Sequence, residues 1–197
     1  GCTATIIYQM YQEAGVKVEP KIAGLLCSAI VSDTLLFRSP TCTLQDKMAA
    51  GALALIADIS IEEFAKEMFK AGSNLKDKTP EEIFYQDYKK FEFGDVTFGV
   101  GQINSMSGGE LDEIEKRLRP YLEKSCREHG LSMMYFMLTN IMEESTRLMC
   151  YGEAAEQLVQ EAFGRAPQAG TIWLQGVVSR KKQLIPAFID AINKENS

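Results

Sequence analysis

The feature that most constrains the fold of this 197-residue chain is a change in hydrophobic period between residues 70 and 80. Upstream, apolar residues recur at the spacing of amphipathic helices. Downstream, short apolar runs typical of buried strands alternate with longer helical stretches. Strands separated by helices usually form one sheet with helices packed on it. The sequence therefore predicts a helical first part, followed by a small α/β domain with a mixed sheet flanked by helices.

A polar stretch over residues 71–79 separates the two parts. It contains Gly72 and Asn74, which break regular structure and are typical of linkers. It is followed by Thr79 and Pro80, a threonine cap with proline at the first helical position. We therefore expect residues 1–70 to form a helical unit, 71–79 to be a linker and hinge, and 80–197 to form the α/β domain.

The periodicity also predicts individual elements. In the first part we expect helices over residues 3–14, 21–37, 43–56 (capped by Thr43) and 60–70. In the second part we expect strands over residues 96–103, 133–138, 147–150 and 171–178. The helices between and after them are expected over residues 109–129, 154–163 and 184–192.

The charge balance argues against a nucleic-acid partner. Acidic residues outnumber basic ones, 27 to 21, and the net charge is −6. Sequence-independent nucleic-acid binding depends on clustered lysine and arginine side chains that neutralise phosphates, and this chain has few basic runs. Any phosphate that it binds must therefore be held by a small number of placed cations.

The apolar stretches and the cysteines argue against a membrane or an oxidising compartment. The most apolar run, residues 22–37, contains Ser28, Ser32 and Asp33, so it is too short and too polar to span a bilayer. The five cysteines include no CxxC pair, which disfavours zinc sites and disulfide scaffolds and favours reduced thiols in the cytoplasm. Because the chain lacks a signal peptide and opens at Gly1 within a predicted helix, we expect it to be part of a longer protein.

Asp33 is the first candidate for a functional side chain. It falls in the apolar run over residues 23–37, where nearly every neighbour is hydrophobic. A carboxylate buried there would cost several kcal/mol unless it were paired or bound to a metal. Two interpretations stay open. Asp33 is either a local cap or partner of Arg38, or a ligand of a hard divalent cation, which favours carboxylate oxygens.

The second candidate is the basic sequence Ser179–Gln183, directly after the strand predicted to end at Val178. Ligands of open α/β sheets bind beyond the carboxyl ends of strands. Three successive cations ahead of a helix N-terminus would form an anion site there. Arg180 can hold a phosphate through two parallel hydrogen bonds, while Lys181 supplies a point charge. The alternative is an ordinary solvated basic surface.

Two other residues give weaker signals. Lys89 lies at the junction between a predicted helix and a strand, and spacing alone does not distinguish it from an exposed lysine. His129, the only histidine, precedes Gly130 at a predicted helix C-terminus. An imidazolium complements the helix dipole at that position, so we interpret His129 as structural.

Several segments taken together resemble the family II inorganic pyrophosphatases, manganese-dependent members of the DHH phosphoesterase superfamily. The segments follow the family's order along the whole chain and cover residues 1–5, 28–37, 39–43, 87–91 and 176–183. Ser-Pro-Thr-Cys-Thr at 39–43 and Ser-Arg-Lys-Lys-Gln at 179–183 are the specific motifs. General exopolyphosphatases of the superfamily share the architecture but fit these two motifs less well.

The resemblance implies an N-terminal DHH domain that holds Mn²⁺ or Co²⁺ ions, with Mg²⁺ as a further option, and a C-terminal domain that closes over pyrophosphate. Residues 1–70 then correspond to the helical end of the DHH domain. Asp33 matches an aspartate metal ligand. Lys89, Arg180 and Lys181 match catalytic residues that contact the phosphates and stabilise the leaving phosphate. The resemblance also implies a homodimer for the intact protein. The chain alone is expected to be inactive, because one carboxylate cannot hold a metal cluster.

Two other functions stay open at this point. The chain could be a non-catalytic phosphate- or pyrophosphate-binding module that keeps only the anion site. It could instead belong to an exopolyphosphatase or phosphodiesterase of the same superfamily. The sequence also leaves open which metal is preferred and whether the intact protein carries nucleotide-sensing CBS domains.

Overall fold

A computed structural model describes residues 1–72, 75 and 77–195. The chain divides into two compact units, Gly1–Gly72 and Ser73–Ser197. The linker predicted over residues 71–79 includes positions 73, 74 and 76, which lie outside the described residues. Its role as a hinge therefore stays a prediction.

The first unit is helical, as predicted. Its elements are α1 (Thr3–Glu13), α2 (Pro20–Asp33), α3 (Leu44–Ala57) and α4 (Ile61–Gly72). Small side chains such as Ala23, Cys27 and Ala50 are fully buried between them, which lets α2 and α3 pack closely. The predicted cap of α3 is confirmed, because Thr43 accepts a hydrogen bond from the backbone N–H of Asp46 in a reciprocal capping box.

A buried carboxylate in this unit belongs to Asp46 and not to Asp33. Asp46 has no exposed surface, and its Oδ1 accepts hydrogen bonds from the N–H of Cys2 at 2.9 Å and the hydroxyl of Thr5 at 2.6 Å. Its Oδ2 accepts from the N–H and the hydroxyl of Thr43, both at 2.8 Å. Four donors compensate the loss of hydration. Asp33 is exposed at the end of α2, so the cost considered for a buried carboxylate in its apolar run does not arise in this unit.

The helix that carries Asp33 ends earlier than predicted. α2 stops at this residue, and residues 35–37 follow in left-handed backbone conformation, with φ angles of 50°, 52° and 67°. Non-glycine residues pay about 1–2 kcal/mol each for this conformation. The hydroxyl of Thr34 offsets part of the cost by donating to the carbonyl of Ile30 at 2.7 Å and accepting from the N–H of Phe37 at 3.2 Å.

The second unit is an α/β domain, which confirms the predicted class. Its described strands are β1 (Tyr88–Phe93), β2 (Val96–Ser105), β3 (Met134–Asn140), β4 (Ser145–Tyr151) and β5 (Thr171–Gln175). Its described helices are α5 (Pro80–Tyr85), α6 (Gly108–Glu128), α7 (Glu153–Phe163) and α8 (Ile185–Glu195). A π-helical turn, Arg180–Leu184, directly precedes α8.

The strands form one mixed sheet in the order β1-β2-β3-β4-β5 within the described residues. β2 and β3 are parallel, and the other neighbours are antiparallel. One face packs against α7 and α8, and the opposite face packs against α5 and α6. Below, these are called the α8 face and the α6 face. The mixed sheet flanked by helices is thus confirmed, and both faces are covered by apolar cores.

Two differences from the predicted strands matter for the site. β1 was missed, because it is an edge strand rich in charged residues that turns into β2 at Gly94. The strand predicted to continue to Val178 ends at Gln175. Gly176 follows with a φ angle of 75°, a conformation that favours glycine and turns the chain out of the sheet. The basic motif therefore begins on a loop.

The predictions about membranes and cysteines can be compared with the described residues. None of the helices among them combines the length and the apolar character that a bilayer crossing requires. All five cysteines are free thiols. Burial raises the pKa of the Cys27, Cys126 and Cys150 thiols, which keeps them in the neutral form.

We predict that Asp46→Asn destabilises the first unit by about 2 kcal/mol or more at pH 7, because the amide nitrogen must face one of the N–H or O–H donors. Burial by itself raises the pKa of Asp46, but the hydrogen bonds from Thr5, Cys2 and Thr43 lower it well below its usual range. The stabilisation is therefore complete above the unfolded-state pKa of about 3.9 and is lost as the pH falls below it.

Backbone amide exchange at the buried residues of α3, measured at pH 7, reports on the first unit alone. Exposed Glu13 on α1 provides a matched control, since Glu13→Gln removes one charge without removing a buried partner. Equal exchange protection in both variants would contradict the role assigned to Asp46. Urea unfolding of the unmodified chain between pH 5 and pH 2 checks the direction of the pH dependence.

Candidate anion-binding site

The site begins where the chain leaves β5 and crosses the α8 face of the sheet. Carbonyl oxygens of the crossing segment accept hydrogen bonds from side chains on two strands. The hydroxyl of Thr146 on β4 donates to the carbonyl of Val177 at 2.6 Å, and Nε2 of Gln102 on β2 donates to the carbonyl of Val178 at 3.1 Å. The segment therefore lies across the sheet from β4 towards β2.

A buried row of polar side chains supports this crossing. Thr139 on β3 lies between the two donors, 2.9 Å from the hydroxyl of Thr146 and 3.1 Å from Nε2 of Gln102. All three side chains are buried. Buried polar groups are stable only when their hydrogen bonds are satisfied, so the row specifies one position for the crossing segment. We call Gln102, Thr139 and Thr146 the polar row.

The basic motif itself is closed by Gln183. Its Oε1 accepts from the N–H groups of Val178 and Ser179 at 2.9 and 3.0 Å, and its Nε2 donates to the carbonyl of Gly176 at 2.6 Å. Ser179 caps the π-helical turn by accepting from the N–H of Lys182 at 3.3 Å. Single π-helical turns are rare and recur at functional sites. This one fixes the direction in which the basic residues leave the backbone.

Arg180 connects the turn to the beginning of β1. Its side chain is only 5% exposed, and Nη1 donates to the carbonyls of Asp87 at 2.7 Å and Val100 at 3.2 Å. Nη2 donates to Oδ1 of Asp87 at 2.7 Å. Asp87 and Arg180 are 93 residues apart in sequence. The two basic segments that the sequence analysis singled out separately therefore meet in the folded unit.

Lys89 lies on the same face of the sheet as this contact. It pairs with Val100 in the β1–β2 register, and directly opposite residues of an antiparallel pair project to one face. Val100 belongs to the core of the α8 face, and its carbonyl is an acceptor of Arg180. The neighbouring Lys90 projects to the opposite face and forms an ion pair with Glu92 at 2.8 Å.

The exposed cations of the site are Lys89, Lys181 and Lys182. Within the described part of the chain, none of the three forms an ion pair with a carboxylate. Asp87 is the carboxylate in direct contact with the cluster, through Arg180. The two segments joined by the Asp87–Arg180 contact thus carry these four cations, on a chain whose net charge is −6. Such a local excess of positive charge favours a multiply charged anion.

Arg180 also retains an unused donor. Its Nε is buried and has no hydrogen-bond acceptor among the described residues. An unsatisfied buried donor costs about 1–3 kcal/mol, more when it is charged. Nε and the adjacent hydrogen of Nη2 form the edge through which a guanidinium holds a phosphate with two bonds. Because Nε has no solvent contact, an oxygen could reach it only after neighbouring groups move.

A metal centre does not fit the described residues alone. No group of three or more histidine, cysteine, aspartate and glutamate side chains in them could hold an ion. Asp33 is exposed, and as a single carboxylate it could supply only one of the ligand groups that an ion needs. A bound Mn²⁺ or Mg²⁺ usually takes several oxygen ligands. The metal site that the resemblance implies therefore requires ligands beyond those described.

His129 has a local structural partner. It is exposed next to the end of α6, and its Nε2 lies 2.8 Å from the hydroxyl of Tyr85. Its ring also packs against the ring of Tyr88, with centroids 5.5 Å apart. These contacts fix the end of α6 against α5 and the start of β1, which agrees with the structural interpretation of His129.

Sequence reasoning missed the residues that hold the site together. Asp87 and Gln183 lie within the quoted motifs, and each is a polar neighbour of a candidate cation. That proximity was a usable signal. The polar row gave no such signal in the sequence. Single glutamine and threonine residues are common in β-strands that have a partly polar face, so these residue types did not indicate a site. Only the register of the sheet brings them together.

Comparison with known proteins identifies the family. Residues 66–191 match the model of the DHHA2 domain. Over 192 residues the chain is 45% identical to a Clostridium acetobutylicum protein named "Probable manganese-dependent inorganic pyrophosphatase", covering 98% of this chain and 62% of that one. It is 42% identical to the cobalt-dependent inorganic pyrophosphatase of Clostridium perfringens, covering 98% of this chain and 35% of that protein.

A solved structure agrees with these relatives. A crystal structure from Methanococcus jannaschii, assigned to the family II inorganic pyrophosphatases, superimposes with a TM-score of 0.84 at 36% identity. It covers 97% of this chain, which spans 64% of the solved one. The resemblance inferred from the motifs is confirmed, and so is the association of these relatives with manganese or cobalt. The chain belongs to the DHHA2 domain family and is similar over nearly its whole length to the C-terminal part of manganese-dependent, family II inorganic pyrophosphatases.

Proposed function

We propose that this chain binds pyrophosphate and that the intact protein hydrolyses it to two phosphates with divalent metal ions. The observation that carries the proposal is the contact between Asp87 and Arg180, which brings two basic segments to one face of the second unit. The relatives named as inorganic pyrophosphatases support the identity of the anion. Lys89, Arg180 and Lys181 are the proposed substrate-binding and catalytic side chains.

The chemistry of the cluster suits a diphosphate. Pyrophosphate carries several negative charges, and a unit charge 4 Å from a unit cation gains about 4 kcal/mol at the effective dielectric constant of a protein surface. Lys89 and Lys181 supply mobile point charges, while Arg180 supplies a planar donor at a fixed position. As the bond to the leaving phosphate breaks, charge grows on that phosphate. Cations held near that phosphate stabilise this charge.

The metal ions belong to a different part of the proposed enzyme. When bound, such ions activate a water molecule and neutralise phosphate oxygens. Asp33 is proposed as one of their ligands, and the others have to come from outside the described residues. The chain spans only 62% of the Clostridium acetobutylicum relative. We therefore expect this chain to bind pyrophosphate without turning it over.

A non-catalytic module is the second candidate function. The absence of a metal-ligand cluster among the described residues favours it, since an anion site alone can bind but not hydrolyse. The two candidates differ only in the intact protein, where the pyrophosphatase proposal requires metal-dependent turnover.

The cytoplasmic location and the homodimer stay predictions. The free thiols suit a reducing compartment.

Replacing Lys89 should weaken pyrophosphate binding, while replacing its neighbour should not. We expect Lys89→Ala to raise the dissociation constant about fivefold to tenfold, because it removes a cation beside Arg180. Lys90→Ala is the matched control, since it removes the same charge from the opposite face of β1. Isothermal titration calorimetry at fixed ionic strength gives both constants. Equal effects of the two substitutions would mean that only net charge matters.

The basic turn should matter more than a single lysine. We expect the double variant Arg180→Ala, Lys181→Ala to lower pyrophosphate affinity by about a hundredfold, since two of the proposed contacts are lost together. The double variant Lys17→Ala, Lys21→Ala, at two exposed positions of the first unit, removes the same number of charges and serves as the control. Circular dichroism must show that the double variant stays folded. Unchanged affinity in a folded double variant would rule out the anion site.

Turnover separates binding from catalysis. Phosphate release from pyrophosphate with excess Mn²⁺ is expected to stay near background for this chain, because the described residues offer no complete metal site. Robust activity would contradict the proposed division of the active site. The matching Clostridium acetobutylicum protein, assayed in parallel, serves as a positive control for the assay conditions.

A further inference from the structure

We propose that Asp87 is a positioning residue of the anion site. Its carboxylate holds the guanidinium of Arg180, so that the π-helical turn carrying Lys181 keeps its orientation relative to the segment that carries Lys89. This inference deepens the proposed function and rests on it. Asp87 itself is not expected to touch the ligand, because like charges repel.

The contacts show why Asp87 and not another residue takes this role. It is bonded to Arg180 twice, through its carbonyl oxygen and through Oδ1, each at 2.7 Å. The same carbonyl also accepts from the N–H of Gln102 at 3.1 Å, which fixes it to β2. Gln102 in turn donates to the carbonyl of Val178 at the start of the basic turn. Asp87 and the start of the basic turn are therefore both anchored to β2 through Gln102.

The burial of the pair explains why the carboxylate is needed. Arg180 is 5% exposed while Asp87 is 49% exposed. A desolvated guanidinium that loses its anionic partner is strongly unfavourable in place, so it moves towards water instead. Its Nε is already unsatisfied, which increases this tendency. Without the Asp87 carboxylate, we expect Arg180 to leave its position and the adjoining turn to lose its fixed orientation.

Electrostatics and positioning predict opposite results at this residue. The carboxylate lies among cations that attract the ligand, so removing its negative charge should by itself strengthen anion binding. Removing a positioning group should weaken binding, because the ligand must then bear the cost of ordering Arg180 and the turn. The sign of the change therefore distinguishes the two effects.

Glu92 provides a matched control for this experiment. It lies on β1, five residues after Asp87, forms an ion pair with Lys90 and is exposed. Glu92→Ala removes one negative charge near Asp87 in sequence without removing a partner of Arg180. Calorimetric titration of the whole chain with pyrophosphate should show at least about a tenfold loss of affinity for Asp87→Ala. Glu92→Ala should bind as tightly as the unmodified chain or more tightly. Asp87→Asn, which keeps an Oδ1 acceptor for Nη2 of Arg180 but removes the negative charge, should recover only part of the lost affinity.

A ligand-free measurement keeps the inference testable if pyrophosphate does not bind. In ¹⁵N-resolved NMR spectra, the Nε–H signal of Arg180 should be distinct in the unmodified chain and in Glu92→Ala. It should collapse towards the free-arginine position in Asp87→Ala. An unmodified chain that binds no pyrophosphate would sink the proposed function. Unaltered Arg180 signals in Asp87→Ala, or tighter binding than in Glu92→Ala, would overturn the positioning role and make Asp87 a competitor of the ligand.

Discussion

The guanidinium of Arg180 is buried and held by oxygen atoms from two different places in the chain, and the candidate site depends on this contact. It places a residue of the C-terminal basic turn against Asp87, just before the edge strand β1, and against Val100 on β2. The segments that carry Lys89 and Lys181 are thereby joined, although no hydrogen bond or ion pair of either lysine side chain is found among the described residues. A charged donor between fixed acceptors gives a stronger and more directional link than a surface ion pair.

The link would be loose without the polar row beneath it. Thr146, Thr139 and Gln102 bind the segment that crosses the sheet, and Gln183 closes the loop above it. Apart from the unsatisfied Nε of Arg180, the site is thus held by a network of hydrogen bonds on the sheet, while the lysines are exposed to solvent. In such an arrangement the conformational entropy of the site is already lost when the protein folds, so ligand binding does not have to order these groups. An acidic protein can in this way present a strongly cationic surface at one place.

The fold class, most elements and the family motifs could be predicted from sequence, because apolar periodicity and capping residues such as Thr43 and Thr79 report local structure directly. Burial could not. Asp33 lies in an apolar run yet is exposed, whereas Asp46, in an ordinary amphipathic helix, is fully buried. Which carboxylate is buried depends on contacts 41 and 44 residues away in sequence. The meeting of Asp87 and Arg180 depends in the same way on strand order, which periodicity does not encode.

The most direct test of the central claim is an NMR titration of the isotope-labelled chain with pyrophosphate, followed at backbone amides and arginine side chains. The account predicts that residues 87–91 and 176–183 shift together along one binding curve, because Arg180 joins them into one site. The Nε–H signal of Arg180 should move on the same curve as its unsatisfied donor gains an acceptor. Shifts confined to one segment, or centred elsewhere in the chain, would contradict the account.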